Sequence, residues 1–247
     1  MPAVFIHGNP ETAAIWDLLI PELDRDDVVR LSPPGFGAPS PEGWGGTRDD
    51  YLAWAVAEIE AIGEPVDLVG HDWGAGHTFG VALTRPDLLR SWALDCAGFA
   101  HPDYEWHDMA QGWQTPGVGE AIVAGMTDAP LEDRVAMFKD LGMTDAIAGS
   151  VAEHVDTDMG RCILSLYRSA AQPALREMGA DLSVMSERPG HVIFAENDSY
   201  VGTEAMASDT AKRSGASMTV LSGVGHWWMI ENPAAGAAAL NDFWAGL

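Results

Sequence analysis

Apolar and polar positions along the chain repeat in two rhythms. Short apolar runs suited to buried strands fall at Ala3 to Ile6, Val28 to Leu31, Val66 to Val69, Trp92 to Leu94, His191 to Phe194 and Met218 to Leu221. Between them lie stretches with apolar residues three and four apart, the spacing of one helical face. Thr12 to Leu23 groups Ile15, Leu19 and Leu23 in this way, and Asp49 to Ile62 groups Leu52, Val56 and Ile59, with Thr47 or Asp49 placed to cap it. Strand and helix in alternation predict an α/β fold, a mostly parallel sheet covered on both faces. The alternation stops between residues 100 and 183, where Trp, Met and helix formers dominate. That stretch, residues 100–183, is expected to be a helical cap inserted into a core formed by residues 1–99 and 184–247. Pro233 to Leu247 reads as a closing helix that packs Leu240, Phe243 and Trp244. The Pro/Gly-rich run Ser32 to Gly46 reads as a loop at the carboxyl end of a strand, where binding sites of such sheets lie.

Composition narrows the partners. The chain has 247 residues and is 47% hydrophobic, enough for one large core with an inserted subdomain. Acidic residues number 37 against 13 basic ones, a net charge of -24 that repels nucleic-acid backbones and anionic membranes. Two cysteines, Cys96 and Cys162, are too few for a disulfide framework and lack metal-ligand spacing, which points to a reducing, cytoplasmic setting. The amino terminus enters a strand by Val4 without a basic region and long apolar run, so neither a secretory leader nor a membrane span is expected.

The chemistry concentrates in Gly70-His71-Asp72-Trp73-Gly74-Ala75-Gly76, directly after the third strand. Small residues around a central nucleophile suit a tight strand-to-helix turn with close backbone approach. Here the central residue is a carboxylate, which displaces a leaving group from saturated carbon to form an alkyl ester. Asp198, in Asn197-Asp198-Ser199-Tyr200, and His226, in Gly225-His226-Trp227, each follow a later strand and complete a nucleophile, acid, histidine order. In that scheme His226 takes a proton from water that attacks the ester and Asp198 orients the imidazole; Asp95, after Trp92 to Leu94, is the competing acid. The first strand ends in His7-Gly8-Asn9-Pro10. The backbone N–H groups of Asn9 and Trp73 are expected at the oxyanion that forms on Asp72, and their side chains, both neutral donors, at the leaving group.

With these motifs the chain resembles the α/β-hydrolase superfamily, in its aspartate-nucleophile branch of haloalkane dehalogenases and epoxide hydrolases. The resemblance covers residues 3–98 and 190–247 and implies the α/β-hydrolase fold, lacking the first two strands of many relatives. An exposed sheet edge would permit a homodimer. HGNP at 7–10 with HDWG at 71–74 resembles the dehalogenase pattern, in which the Asn and the Trp bind halide ion. Trp73 stands where fluoroacetate dehalogenases carry arginine. Within the cap, Trp113-Gln114-Thr115-Pro116-Gly117 and Leu166-Tyr167-Arg168-Ser169 resemble epoxide-hydrolase segments that each supply a proton-donating tyrosine. Tyr167 matches the second; the first falls at Met109, which has no proton to give, with Tyr104 and His107 nearby. The resemblance implies a small apolar substrate, a haloalkane or an epoxide, and no metal or organic cofactor. Dehalogenation is the leading reading and epoxide opening the alternative; a non-catalytic ligand-binding homologue on the same fold is the third.

Overall fold

In the computed structural model, which describes residues 1–247, the apolar runs become β1 (Ala3–Ile6), β2 (Val28–Leu31), β3 (Val66–Gly70), β4 (Leu89–Leu94), β5 (Gly190–Ala195) and β6 (Ser217–Leu221). They form one six-stranded sheet in the order β2-β1-β3-β4-β5-β6, every neighbouring pair parallel. Alternate residues serve opposite layers: Phe5, Val69 and Ile193 pack with Trp16 and Trp228, while Val4, Ile6, Leu68 and Val192 pack with Ile59 and Phe79. Covering both faces is what lets the central strands be mainly apolar, with Asp67 and Ser91 buried among them as a hydrogen-bonded pair. Because β1 lies between β2 and β3, the crossovers leave it in opposite directions, and a crevice opens beyond the carboxyl ends of β1 and β3.

Helices α1 (Arg48–Ile62) and α2 (Trp73–Thr84) precede the insertion, which lies between β4 and β5 and contains α3 (Asp108–Gln114), α4 (Val118–Thr127), α5 (Leu131–Asp140), α6 (Asp145–Glu153), α7 (Thr157–Ser169) and α8 (Ala174–Met178). After it come α9 (Glu204–Ser214), α10 (Trp228–Glu231) and α11 (Pro233–Ala245). None of the helices is long and apolar enough to cross a membrane.

Two helix expectations need correction. Thr12 to Leu23 is not an α-helix but two short 3-10 segments, Ala13–Trp16 and Ile20–Glu22. Pro21 lacks the N–H that a continuous helix would need there. Ile15, Trp16 and Leu19 are buried nonetheless. In α1 Ile59 is buried as expected, but Tyr51 and Ala55 are buried in place of Leu52 and Val56, because the Tyr51 hydroxyl turns inward to donate to Pro34 O at 2.7 Å. Thr47 caps α1 in a reciprocal pair with Asp50.

The Ser32 to Gly46 loop seats the cap. Ser165 Oγ of α7 donates to Gly45 O at 2.7 Å and Arg161 to Trp44 O at 2.8 Å. Cys162 Sγ fills the space over Gly35, where an added Cβ would lie 2.4 Å from the sulfur. These contacts fix the face of α7 that carries Tyr167.

Candidate active site

Asp72 sits at the tip of the β3–α2 turn with φ 51° and ψ -120°, a left-handed conformation that costs a non-glycine residue on the order of 1–3 kcal/mol. The glycines around it are sterically required. A Cβ on Gly74 would lie 2.0 Å from Ile6 O, and one on Gly8 would lie 2.1 Å from Asp72 Oδ1. The carboxylate is thereby presented to the crevice, its side chain 16% exposed. Burial pushes its carboxyl up to about 6, against the opposing pull of His226.

The three residues in nucleophile, acid, histidine order come together. His226 Nδ1 donates to Asp198 Oδ2 at 2.7 Å, and His226 Nε2 faces Asp72 Oδ2 at 3.8 Å. The Asp198 hydrogen bond and the nearby carboxylates raise the imidazole above its ordinary range although burial opposes them. Asp72 Oδ1 accepts the backbone N–H of Asn9 at 2.9 Å. The Trp73 N–H, expected beside it, makes no hydrogen bond to that carboxylate.

Asp95 is engaged elsewhere. Its Oδ2 accepts from His71 Nδ1 and from Trp228 Nε1 at 2.7 Å, and its Oδ1 accepts the Asp72 backbone N–H at 3.1 Å. The other ring nitrogen of His71, Nε2, donates to Glu11 Oε1 at 3.1 Å. Glu11 also accepts from Trp227 Nε1 and, at 3.0 Å, from the Gly8 N–H. Glu11, His71 and Asp95 are therefore a buried carboxylate–imidazole–carboxylate array lying under the loops that carry Asp72, Asn9 and His226. Both carboxylates raise His71 well above its ordinary range against the effect of burial, and His71 in turn holds Glu11 down at about 2. Sequence reasoning singled out neither Glu11 nor the two tryptophans. The available signal was a buried-type motif carrying unpaired charge, Asn9-Pro10-Glu11 at a strand end, together with consecutive Trp227 and Trp228 after the histidine.

Asn9 and Trp73 stand at the mouth of the nucleophile, each at least nine-tenths buried. Both polar atoms of the Asn9 carboxamide lack a protein partner. A cavity of about 400 Å3 opens from this point, with Asn9, Asp72, Tyr167 and His226 at one end and Ile122, Met126, Met137 and Leu141 of the cap at the other. None of its lining residues is Lys or Arg. Tyr167 is 2% exposed, with its ring 5.5 Å from that of Trp73 and 4.7 Å from that of Trp113. Burial and the Asp72 charge hold its phenol well above its ordinary range, so it keeps its proton. Of the other cap donors, Tyr104 spends its hydroxyl on Tyr200 O at 2.9 Å, whereas His107 lines the cavity with its Nδ1 accepting the Ala110 N–H. Met109 lines the cavity as well.

Donor atoms of Glu11, His71 and His226, and of Cys96, Asp198 and His226, lie within 4.8 Å of one another, close enough to hold a cation. In the first group the hydrogen bond between Glu11 and His71, and in the second that between Asp198 and His226, already brings the donors together.

The model of a family described as "Alpha/beta hydrolase family" matches residues 3–239. The 2-hydroxymuconate semialdehyde hydrolase of a Pseudomonas species is 27% identical over 256 aligned positions, covering 99% of this chain and 87% of that enzyme. A haloalkane dehalogenase of Mesorhizobium japonicum is 32% identical over 157 positions, covering 55% of this chain and 45% of the enzyme. Among solved structures, a haloalkane dehalogenase of Bradyrhizobium elkani superposes with a TM-score of 0.76 at 20% identity, over 99% of this chain and 90% of that one.

Proposed function

The chain belongs to the alpha/beta hydrolase family, and from that premise we propose that it is a haloalkane dehalogenase working through an ester on Asp72. The observation that carries the reading is the Asn9 carboxamide, buried next to the nucleophile with neither polar atom in a hydrogen bond, the Asn9 and Trp73 side chains both reaching toward the Tyr167 hydroxyl. Two neutral donors suit a departing halide, which leaves as a stable anion and has to be released again; a lysine would grip it harder.

The distances support the following course. An Asp72 oxygen attacks the halogen-bearing carbon, the carbon–halogen bond breaks with its electron pair, and the halide is received by Asn9 and Trp73. Water then adds to the Asp72 ester carbonyl while His226 takes its proton, and Asp198 steadies the imidazolium through the 2.7 Å hydrogen bond. The oxyanion gathers on the oxygen that Asn9 N–H contacts; one such donor is worth roughly 3 kcal/mol in serine hydrolases. Collapse releases the alcohol and restores the carboxylate, and His226 returns its proton to solvent.

Tyr167 favours a second reading. A phenol that stays protonated at the same end of the cavity suits the alkoxide of an opening epoxide, which needs an acid where a halide needs none. The two readings separate in a paired assay. Dehalogenation predicts halide release from a small bromoalkane, weakened at least tenfold by Asn9→Ala. Diol formation from an epoxide, abolished by Tyr167→Phe and without halide release from any bromoalkane, would reverse the order. In either case His226→Phe should trap substrate on Asp72 as a mass increase of the intact protein; no adduct would exclude the ester mechanism.

A further inference from the structure

Beneath Asp72 and His226 lies charge that the proposed reaction does not use. Glu11, His71 and Asp95 have no solvent-exposed surface to speak of, at 0%, 0% and 4%. A buried ion array is a costly way to hold a fold together, since well-packed apolar groups of equal volume do as well or better. Its connections say more. Asp95 holds the nucleophile's backbone N–H, Glu11 holds the Gly8 N–H, and the two residues that follow His226 reach down to the same carboxylates, Trp227 to Glu11 and Trp228 to Asp95. The His71 ring also lies directly against that of His226, with centroids 4.6 Å apart. Both His71 nitrogens face carboxylate oxygens, an arrangement that the doubly protonated ring satisfies with both carboxylates ionised.

We propose that Glu11, His71 and Asp95 form a fixed-charge support for the hydrolytic base: a permanent imidazolium beneath His226 that opposes its protonation, clamped by two carboxylates that anchor the catalytic loops. The three are positioning residues. The inference rests on the reading of His226 as the base that activates water. The groups facing His226 have opposed effects. Asp198, from the turn after β5, Asp72, from the elbow, and Glu11 favour the imidazolium, while His71 opposes it. Cys96 and Tyr200 also lie against the ring, and His107 approaches from the cap. Without a positive charge at position 71 the surrounding carboxylates would act on His226 less opposed and hold its proton to higher pH, and an imidazolium cannot accept the proton of water.

Signs decide the test. His71→Gln removes the positive charge, so the acidic limb of ester hydrolysis should move up by about one pH unit; Glu11→Gln removes a negative one, so it should move down by a similar amount. Single-turnover hydrolysis of the alkyl-enzyme, followed against pH, reads this separately from halide release. A purely structural role would lower the rate in both variants with the limb unmoved, or shift both the same way, and either result overturns the proposal. Nitrogen-15 NMR of histidine in the resting wild-type protein gives a measurement free of substrate and of the variants' folding. His71 should show both ring nitrogens protonated throughout the titration of His226. A His71 with one unprotonated nitrogen at neutral pH overturns the proposal whatever the protein hydrolyses, and absence of an Asp72 adduct overturns the ester reading while leaving this measurement decisive.

Discussion

Asp72 is where function and stability pull apart. Its left-handed backbone and buried carboxylate both cost free energy that a neutral residue would not, and the raised carboxyl gives the second cost a sign. A group whose folded pKa lies above its unfolded one favours the fold below the unfolded value, and that contribution is lost as pH rises through the folded value. For Asp72 the window runs from 3.8 to about 6. Asp72→Asn should therefore be inactive yet more stable at pH 7, by about 3 kcal/mol, with the gain vanishing below the window; denaturant melts at both pH values check it. Under the proposed dehalogenation, the same value implies that halide release should fall below pH of about 6 as the nucleophile takes up a proton, visible in burst amplitudes before turnover. These residues differ in how far the chain announced them. Asp72, Asp198 and His226 were legible because each follows a strand and their order carries the chemistry. Asp95 was legible as an acid but not as the partner of His71, because a linear chain does not say which of two histidines a carboxylate will meet. Glu11 stayed hidden because its contacts to His71 and Trp227 span 60 and 216 residues.

Elements were readable where local chemistry agrees with tertiary demand. The central strands announce themselves because burial on both faces favours runs of apolar residues. The segment after β1 misled because its apolar spacing survives in the buried residues Ile15, Trp16 and Leu19 while Pro21 forbids the helix that the spacing suggests. In α1 the expectation holds at Ile59 and fails by one position at Leu52 and Val56, because Tyr51 is anchored by a loop carbonyl, a tertiary contact. At the elbow the constraint is steric and should be severe. Gly74→Ala would drive a Cβ to 2.0 Å from Ile6 O, so β1 and α2 must separate. The expected outcome is loss of activity with several kcal/mol of destabilisation, measured by urea melts. Thr47→Ala, which removes the α1 cap, should cost only about 1 kcal/mol and leave turnover intact. If the two variants destabilised equally, the tight packing assigned to the elbow would be wrong.

At the scale of the molecule, the cavity and the surface obey different electrostatics. The cavity has no Lys or Arg lining and is neutral at its apolar end, whereas the surface carries most of a net charge of -24. Most of the 13 basic residues are already committed to ion pairs, such as Arg25 with Asp27 and Asp67, Arg85 with Glu60 and Asp87, and Lys139 with Asp145. Asp26, Glu42, Glu58 and Glu153 are exposed with no such partner. Like charges held in a compact body repel one another more than in the expanded chain, so the folded state bears the larger cost. Salt shortens the range of that repulsion from about 10 Å at 0.1 M to about 3 Å at 1 M. The thermal midpoint should therefore climb by several degrees over that range of sodium chloride. Salt also strengthens apolar burial to a degree, and a charge variant separates the two effects. Replacing Asp26, Glu42, Glu58 and Glu153 by their amides should raise the midpoint at low salt and flatten its rise with salt. If the variant kept the full salt gain, surface repulsion would not be its cause, and the acidic composition would bear on solubility alone.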